Sequence, residues 1–232
     1  MKLITERECY NCGCELEYKN LSYGICEKCL SSIKMIDIFS SCPKCGLPNA
    51  KNWCYFCANQ KLNMDRNISL YTYDGIIRNI IQKIKFNNET QKIRIIKRLT
   101  QNVVLDKIFG EPIDIIVPVP SSLKAFLKRG FDLIELIFKP LARKNRKKFE
   151  RVIGRKLFAK QQKKLSRDER LRLAKEQFFV RKKREEIKGK TVLIVDDVFT
   201  TGSTLNVCSS IIKTLGAGKV FSLTLARSIE EF

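Results

Sequence analysis

The sequence predicts an α/β protein: a parallel sheet flanked by helices, with a small cysteine-rich module ahead of it. Three observations carry this expectation. From residue 67 onward, short β-branched runs alternate with longer stretches of helical period, the pattern of strand, crossover and strand. The run Val192-Leu193-Ile194-Val195 is aliphatic at every position, as expected of a strand covered on both faces. Nine of the ten cysteines lie before residue 58, which sets residues 1–62 apart as a module from a domain over 63–232.

The elements follow in order. Asn67 to Tyr73 alternates like a strand, and Gly75 to Phe86 places Ile76, Ile77, Ile80, Ile81 and Ile84 at helical spacing. Glu89 to Phe109 reads as a second amphipathic helix. A turn then leads into a strand from Ile113 to Val117 that ends in Pro118-Val119-Pro120. Phe131 to Leu141 is helical, Val152 to Leu157 a short strand, and Asp168 to Gln177 a further helix. The chain closes with a strand over 191–195, a helix over 203–214, a turn at Gly216 and Gly218, and a strand over 219–225. At 232 residues there is room for one such domain and an appendage.

Eight of the early cysteines form four Cys-x-x-Cys pairs: Cys9 with Cys12, Cys26 with Cys29, Cys42 with Cys45, and Cys54 with Cys57. The sequence has no apolar run of membrane-spanning length and no apolar leader, so the expected location is cytoplasmic, where such pairs bind metal rather than form disulfides. Each pair presents two thiolates to one tetrahedral ion, and four pairs complete two closed structural zinc sites. Sequential ribbons and an interleaved cross-brace use the same pairs; sequential pairing is the expectation. Cys14 is left as a bystander or a substitute for Cys12, and Cys208 as a small buried hydrophobe on a helix. Trp53, Tyr55 and Phe56 interleave the last pair, suited to covering the module or to stacking on bases.

Lysine and arginine total 45 against 24 acids, a net charge of +21, and histidine is absent. The excess is local: residues 143–190 hold 21 basic and 6 acidic side chains, whereas residues 1–60 hold 7 and 6. The positive field therefore belongs to the second domain. It suits a polyanion longer than one nucleotide, and the alternative is a solubilising surface.

The most informative segment is residues 192–204, in which the buried strand runs into Asp196 and Asp197 and then Val198, Phe199, Thr200, Thr201, Gly202, Ser203 and Thr204. The carboxylates fall where the strand is expected to stop, at the edge where open α/β sheets bind ligands. They can accept hydrogen bonds from a vicinal diol or coordinate a hard cation. The hydroxyls and the glycine that follow open a helix whose first-turn amides can converge on a phosphate. All thirteen positions resemble the phosphoribosyl pyrophosphate (PRPP) motif of the type I phosphoribosyltransferases. The resemblance implies ribose contacts for Asp196 and Asp197 and phosphate contacts for Val198 and Thr200 to Thr204.

A closer resemblance covers nearly the whole chain. Cysteine pairs, Tyr71 and Tyr73 with Lys85-Phe86, Val117-Pro118-Val119-Pro120, Arg129-Gly130-Phe131, Gln162 with Leu165-Ser166 and Arg170, and then the thirteen-residue motif occur in one order. In this they are similar to the ComF family of competence-associated, phosphoribosyltransferase-like proteins. That resemblance implies a zinc finger on a phosphoribosyltransferase fold. It also implies a role in single-stranded DNA uptake during natural transformation, beside a helicase partner at the inner face of the membrane. Pro120 and Ser121 then stand at the pyrophosphate loop, with Lys85 and Arg129 as phosphate contacts and Mg²⁺ accompanying PRPP. Lys160, Lys163, Lys164, Arg167 and Arg170 lie in or beside the hood segment and are candidates for nucleic acid. The sequence departs from the family at Asp132-Leu133, where Asn-Gln is usual, and at Leu173, where Asn is common.

Three functions fit this reading: a DNA-import factor carrying a PRPP or nucleotide pocket, an active Mg²⁺-dependent phosphoribosyltransferase, and a PRPP-sensing regulator. The first is favoured. Without histidine, an enzyme would have to use carboxylate, Tyr or Lys for proton transfer, and no helix-turn-helix stretch supports the regulator.

Overall fold

The computed structural model describes residues 7–50, 52–156, 177–181 and 184–229. The hood residues Lys160, Lys163, Lys164, Arg167 and Arg170, Leu173, and nearly all of the expected helix Asp168 to Gln177 lie outside the described residues.

Two short helices, α1 (Glu27–Ser31) and α2 (Tyr55–Ala58), belong to the cysteine-rich segment. They are followed by β1 (Arg66–Thr72), α3 (Gly75–Asn87), α4 (Ile93–Thr100), α5 (Leu105–Phe109), β2 (Ile115–Pro118), α6 (Leu123–Arg129), α7 (Leu133–Lys144) and β3 (Lys148–Phe149). Then come β4 (Ile153–Arg155), β5 (Phe178–Val180), β6 (Thr191–Phe199), α8 (Ser203–Thr214) and β7 (Lys219–Arg227). The main sheet has five parallel strands in the order β1-β7-β6-β2-β3, and β4 pairs antiparallel with β5 apart from it. The expected parallel sheet is present.

Its two faces are covered differently. One face packs the isoleucines of α3 (Ile77, Ile80, Ile81, Ile84) together with Ile95 and Ile96 of α4, Leu105 of α5, and Leu133, Ile137 and Phe138 of α7. On the other face, Leu205, Val207 and Ile212 of α8 share a core with Cys42, Cys45, Cys54 and Cys57, and with Val192 and Ile194 of β6. Cys9 and Cys29 of the first cysteine group belong instead to the first core. The amino-terminal segment thus contributes to both faces, and between them it runs along the free edge of β1. Ile36 donates its N–H to Leu70 at 2.9 Å, Thr72 donates to Lys34 at 3.1 Å, and Asn67 donates to Lys44 at 2.9 Å. These bonds occupy an edge that would otherwise be open to pairing with another chain.

Five elements differ from the sequence reading, one of them β5, for which no strand was expected. The helix expected over Glu89 to Phe109 is divided into α4 and α5, because Asn145 accepts from Leu105 N–H at 2.9 Å and donates to Val103 O at 3.1 Å, replacing helical partners. Helix α6 was not expected, although Ser122 caps it by accepting from Ala125 N–H and Gly130 ends it at φ 76°. The two-residue strand β3 was also unexpected. Strand β6 does not stop at Val195 but runs to Phe199, because β7 pairs with it as far as Phe199 and Arg227. Its other partner, β2, ends at Pro118 opposite Val195. Asp196 and Asp197 therefore lie on a strand that is hydrogen-bonded on one side and open on the other.

Candidate sugar-phosphate cleft and cysteine centres

That one-sided strand forms the floor of a cleft of about 480 Å³ at the carboxyl edge of the sheet. Asp196, Asp197 and Thr204 line it from β6 and α8, Lys85 and Phe86 from the end of α3, and Pro120, Ser121 and Arg129 from the segment after β2. Sequence reading had named all of these, and the fold gathers them from three crossovers. Lys124, Lys128 and Ser122 of the α6 region and Arg155 of β4 complete the lining. Arg155 had no sequence signal. Pairing of β4 with β5 brings it in, and Gln177 Oε1 holds its Nη2 at 2.9 Å. Five cations, Lys85, Lys124, Lys128, Arg129 and Arg155, consequently surround two carboxylates, a field suited to a ligand that joins a diol to phosphoryl groups.

The two carboxylates are not equivalent. Asp197 is buried and forms an ion pair with Lys85 Nζ through Oδ2. Asp196 Oδ1 accepts from Asp197 N–H at 2.8 Å. Burial, and next the charge of Asp197, push the Asp196 carboxyl up to about 8, while that N–H and Lys85 act in the opposite direction. A carboxyl pair of which one member is readily protonated can both accept from and donate to a diol.

The loop that follows is shaped by Gly202, which takes φ 72° immediately before α8. A Cβ on Gly202 would stand 2.4 Å from Phe199 Cζ, so the position needs glycine for space as well as conformation. Thr201 Oγ1 accepts from Ser203 N–H at 3.4 Å and is 2.8 Å from Ser203 Oγ. Thr200 and Thr201 are exposed and, like Gly202 and Ser203, are not part of the cleft lining, while Val198 packs against the core. On the opposite wall, Arg129 Nε donates to Ala125 O at 3.1 Å and its Nη2 lies 3.5 Å from Ser121 Oγ. Asp132 caps α7 by accepting from Ile134 N–H at 2.9 Å, which gives this departure from the family pattern a structural task.

The cysteines assemble as two groups, Cys9-Cys12-Cys26-Cys29 and Cys42-Cys45-Cys54-Cys57, with the Sγ atoms of each group all within 4.8 Å of one another. Sequential pairing is therefore what the fold adopts. Thiolates at tetrahedral zinc distance lie about 3.8 Å apart; Cys12 and Cys26 are 3.8 Å apart and Cys45 and Cys54 3.6 Å. Backbone donors point at the sulfurs as well, from Cys26 to Cys9 at 3.4 Å and from Cys54 to Cys42 at 3.5 Å. Both groups fit a four-coordinate metal ion. The second is wholly buried, whereas Cys12 of the first is exposed. Cys14 is exposed and 3.4 Å from Cys12, outside the group of four, and Cys208 is buried on α8. Of the interleaved aromatics Phe56 is buried, while Trp53 and Tyr55 face outward.

Comparison with known proteins agrees with this geometry. The chain is 29% identical over 211 residues to "Competence protein F" of Haemophilus influenzae, covering 88% of this chain and 91% of that protein. It is 27% identical over 212 residues to "Competence protein ComFC" of Bacillus subtilis, covering 88% and 84%. With "DNA utilization protein YhgH" of Salmonella typhi it shares 28% over 227 residues, covering 95% and 97%. The family model of the phosphoribosyl transferase domain matches residues 85–231, starting at the cleft lysine, and the chain belongs to that family.

Proposed function

We propose that this protein is a competence-associated factor of DNA uptake whose cleft binds PRPP or a nucleotide while its basic surface handles single-stranded DNA. The observation that carries the proposal is the convergence of Asp196, Asp197, Lys85, Pro120, Ser121, Arg129 and Thr204 in one cleft, in a chain whose relatives over most of their length are named for competence and DNA utilization. Asp196 and Asp197 take the ribose hydroxyls, the 200–204 loop takes the 5-phosphate, and Ser121 with Arg129 faces the pyrophosphate, which Mg²⁺ accompanies. Zinc occupies the two cysteine groups as a structural ion, within a module over residues 1–62 that serves a phosphoribosyltransferase-like domain over 63–232. A helicase of the uptake machinery at the inner face of the membrane is the expected protein partner. No helix among the described residues is long and apolar enough to cross a membrane.

Catalysis of phosphoribosyl transfer is the second reading. A recess of about 230 Å³ adjoins the cleft, shares Val119, Pro120, Ser121 and Arg155 with it, and is lined further by Glu135, Arg151 and Arg181. It offers space for an acceptor beside the sugar. Release of pyrophosphate from labelled PRPP with Mg²⁺ and a panel of bases tests this reading, and no release with any base rejects it.

The favoured reading is tested by titrating PRPP and single-stranded oligonucleotide into one preparation, wild type against Asp196→Asn/Asp197→Asn. The double variant should lose PRPP and keep DNA, and DNA affinity should fall steeply with salt, because contacts to the DNA backbone release counterions. Loss of both ligands in a folded variant, or DNA binding indifferent to salt, would overturn it.

A further inference from the structure

One buried cation takes no part in the cleft lining and is still tied to it. Arg227, the last residue of β7, is fully buried, and among the described residues no carboxylate lies within ion-pair distance of it. Its Nη1 donates to the carbonyls of Phe199 at 3.2 Å and Thr200 at 2.5 Å, the two residues that lead into the phosphate loop. Its Nη2 reaches Cys45 Sγ of the buried cysteine group at 3.8 Å. The guanidinium lies over the Phe199 ring, 4.3 Å from its centroid, and Gly202 packs against the same ring. Among the described residues, Arg227 Nε has no hydrogen-bond partner. A guanidinium this deep needs a compensating anion, which the cysteine group it touches would supply once metal deprotonates it. Four thiolates around one divalent cation carry a net charge of about −2, and coordination keeps each sulfur a charged acceptor.

Beneath this link, the sheet and the same cysteine group share a polar seam. Asn67 donates to Cys45 O and to Ser69 Oγ, both at 3.0 Å, and accepts from Ser222 at 2.8 Å, while Ser69 and Thr224 hydroxyls meet at 2.6 Å. All four side chains are buried. Cys45 is thus fixed to the sheet by its backbone and to the phosphate loop through Arg227.

We infer that Arg227 is a positioning residue through which metal bound at Cys42, Cys45, Cys54 and Cys57 sets the order of the 199–203 loop, and with it the loop's hold on a sugar phosphate. The metal anchors Cys45, the thiolate holds one arm of the guanidinium, and the other arm and its π contact hold two carbonyls and the ring on which Gly202 rests. Loop and metal centre then respond to each other, since coupling between two sites is reciprocal. The inference rests on the PRPP reading for its ligand but not for its loop.

The test uses the full-length, metal-loaded protein with Arg227→Met, which keeps the buried volume and removes both bridges, and Arg227→Lys, whose single ammonium does not span carbonyls and sulfur. Metal content is measured, along with amide hydrogen exchange at 199–203 and PRPP affinity. With both metals retained, exchange in the loop should rise and PRPP affinity should fall by about tenfold in Arg227→Met. In Co²⁺-substituted wild type, PRPP should shift the thiolate-to-cobalt charge-transfer band, and in Arg227→Met the shift should vanish. Unchanged loop exchange with both metals bound overturns the proposal. If Arg227→Met does not fold, Arg227→Lys decides by the same reading. Failure of wild type to bind PRPP would remove the cleft assignment, and loop exchange would still settle the coupling. PRPP binding as tight in the variant as in wild type, with unchanged exchange, would remove the coupling alone.

Discussion

Lys85, near the end of α3, forms an ion pair with the buried Asp197 of β6 across the floor of the cleft. Lys85 was expected as a phosphate contact. In the fold it also neutralises one of the two cleft carboxylates, so Asp197 is already held in place. Arg129, on the facing wall, has no such pair among the described residues, and its Nη2 lies 3.5 Å from Ser121 Oγ.

Removing this lysine should therefore harm the fold as well as the site. Lys85→Met leaves a buried carboxylate unpaired and should cost about 2–4 kcal/mol in unfolding free energy, read as a lower denaturant midpoint with unchanged m-value. Adding Asp197→Asn should recover part of that loss, and a double-mutant cycle should show coupling of about 1 kcal/mol or more. Strict additivity would mean the ion pair contributes nothing.

Asp196 gives a pH dependence of defined sign. Its carboxyl titrates at about 8 in the fold against an ordinary 3.8, so between those values the folded state binds the proton more tightly than the unfolded chain. Its contribution to stability is complete below the ordinary value and is lost as pH rises through about 8. Asp65 and Asp106 are both held below the usual carboxylate range and titrate beneath this window. Asp196→Asn should accordingly stabilise the protein at pH 8 by about 2 kcal/mol and flatten its melting profile between pH 5 and 8. Parallel profiles for variant and wild type would rule this out.

What the sequence disclosed depends on how locally each feature is encoded. That Asp196, Asp197 and Thr204 line one cleft was legible because the carboxylates end an apolar strand run and the hydroxyls and glycine open the next helix. The cysteine groups were legible because each Cys-x-x-Cys pair is a local device. Helix α6 was legible in principle, from Ser122 as its cap and Gly130 as its stop, but a seven-residue helix beside Pro120 shows little periodicity. The break between α4 and α5 was not legible, since it depends on the side chain of Asn145 from a distant helix. Nor was the extension of β6, which β7 dictates, or the entry of Arg155 into the cleft, which follows from pairing of β4 with β5. The placement of Arg227 against Cys45 joins opposite ends of the chain and has no local trace.

Gly202 should tolerate no side chain. Gly202→Ala combines a left-handed backbone with a methyl 2.4 Å from the Phe199 ring, and Arg227 lies against that ring. The expected cost is about 1–3 kcal/mol of stability, with a fall in PRPP affinity larger than for Thr200→Ala at an exposed position. Calorimetric titration of both variants checks the order, and equal affinities would show that the loop's conformation does not matter to binding.

The two cysteine centres should release metal at different rates and with different consequences. In the first group Cys12 is exposed and Cys26 partly so, whereas every cysteine of the second is buried in the core that α8 and β6 share. A strong chelator should therefore remove one equivalent of zinc quickly and the second slowly, with most of the loss of structure accompanying the second. Cys12→Ser leaves a solvent-facing vertex and should lower the melting temperature slightly. Cys45→Ser disturbs a buried ligand that also accepts from Arg227 and whose carbonyl holds Asn67, so it should lower the melting temperature by about 10 °C or more. Stopped-flow zinc release alongside circular dichroism reads both quantities. Because the second group forms part of the core beneath β6, its loss should extend to the sheet and remove the phosphate loop's support. Release of both metals in one phase, or unfolding confined to residues 7–62, would contradict the shared core.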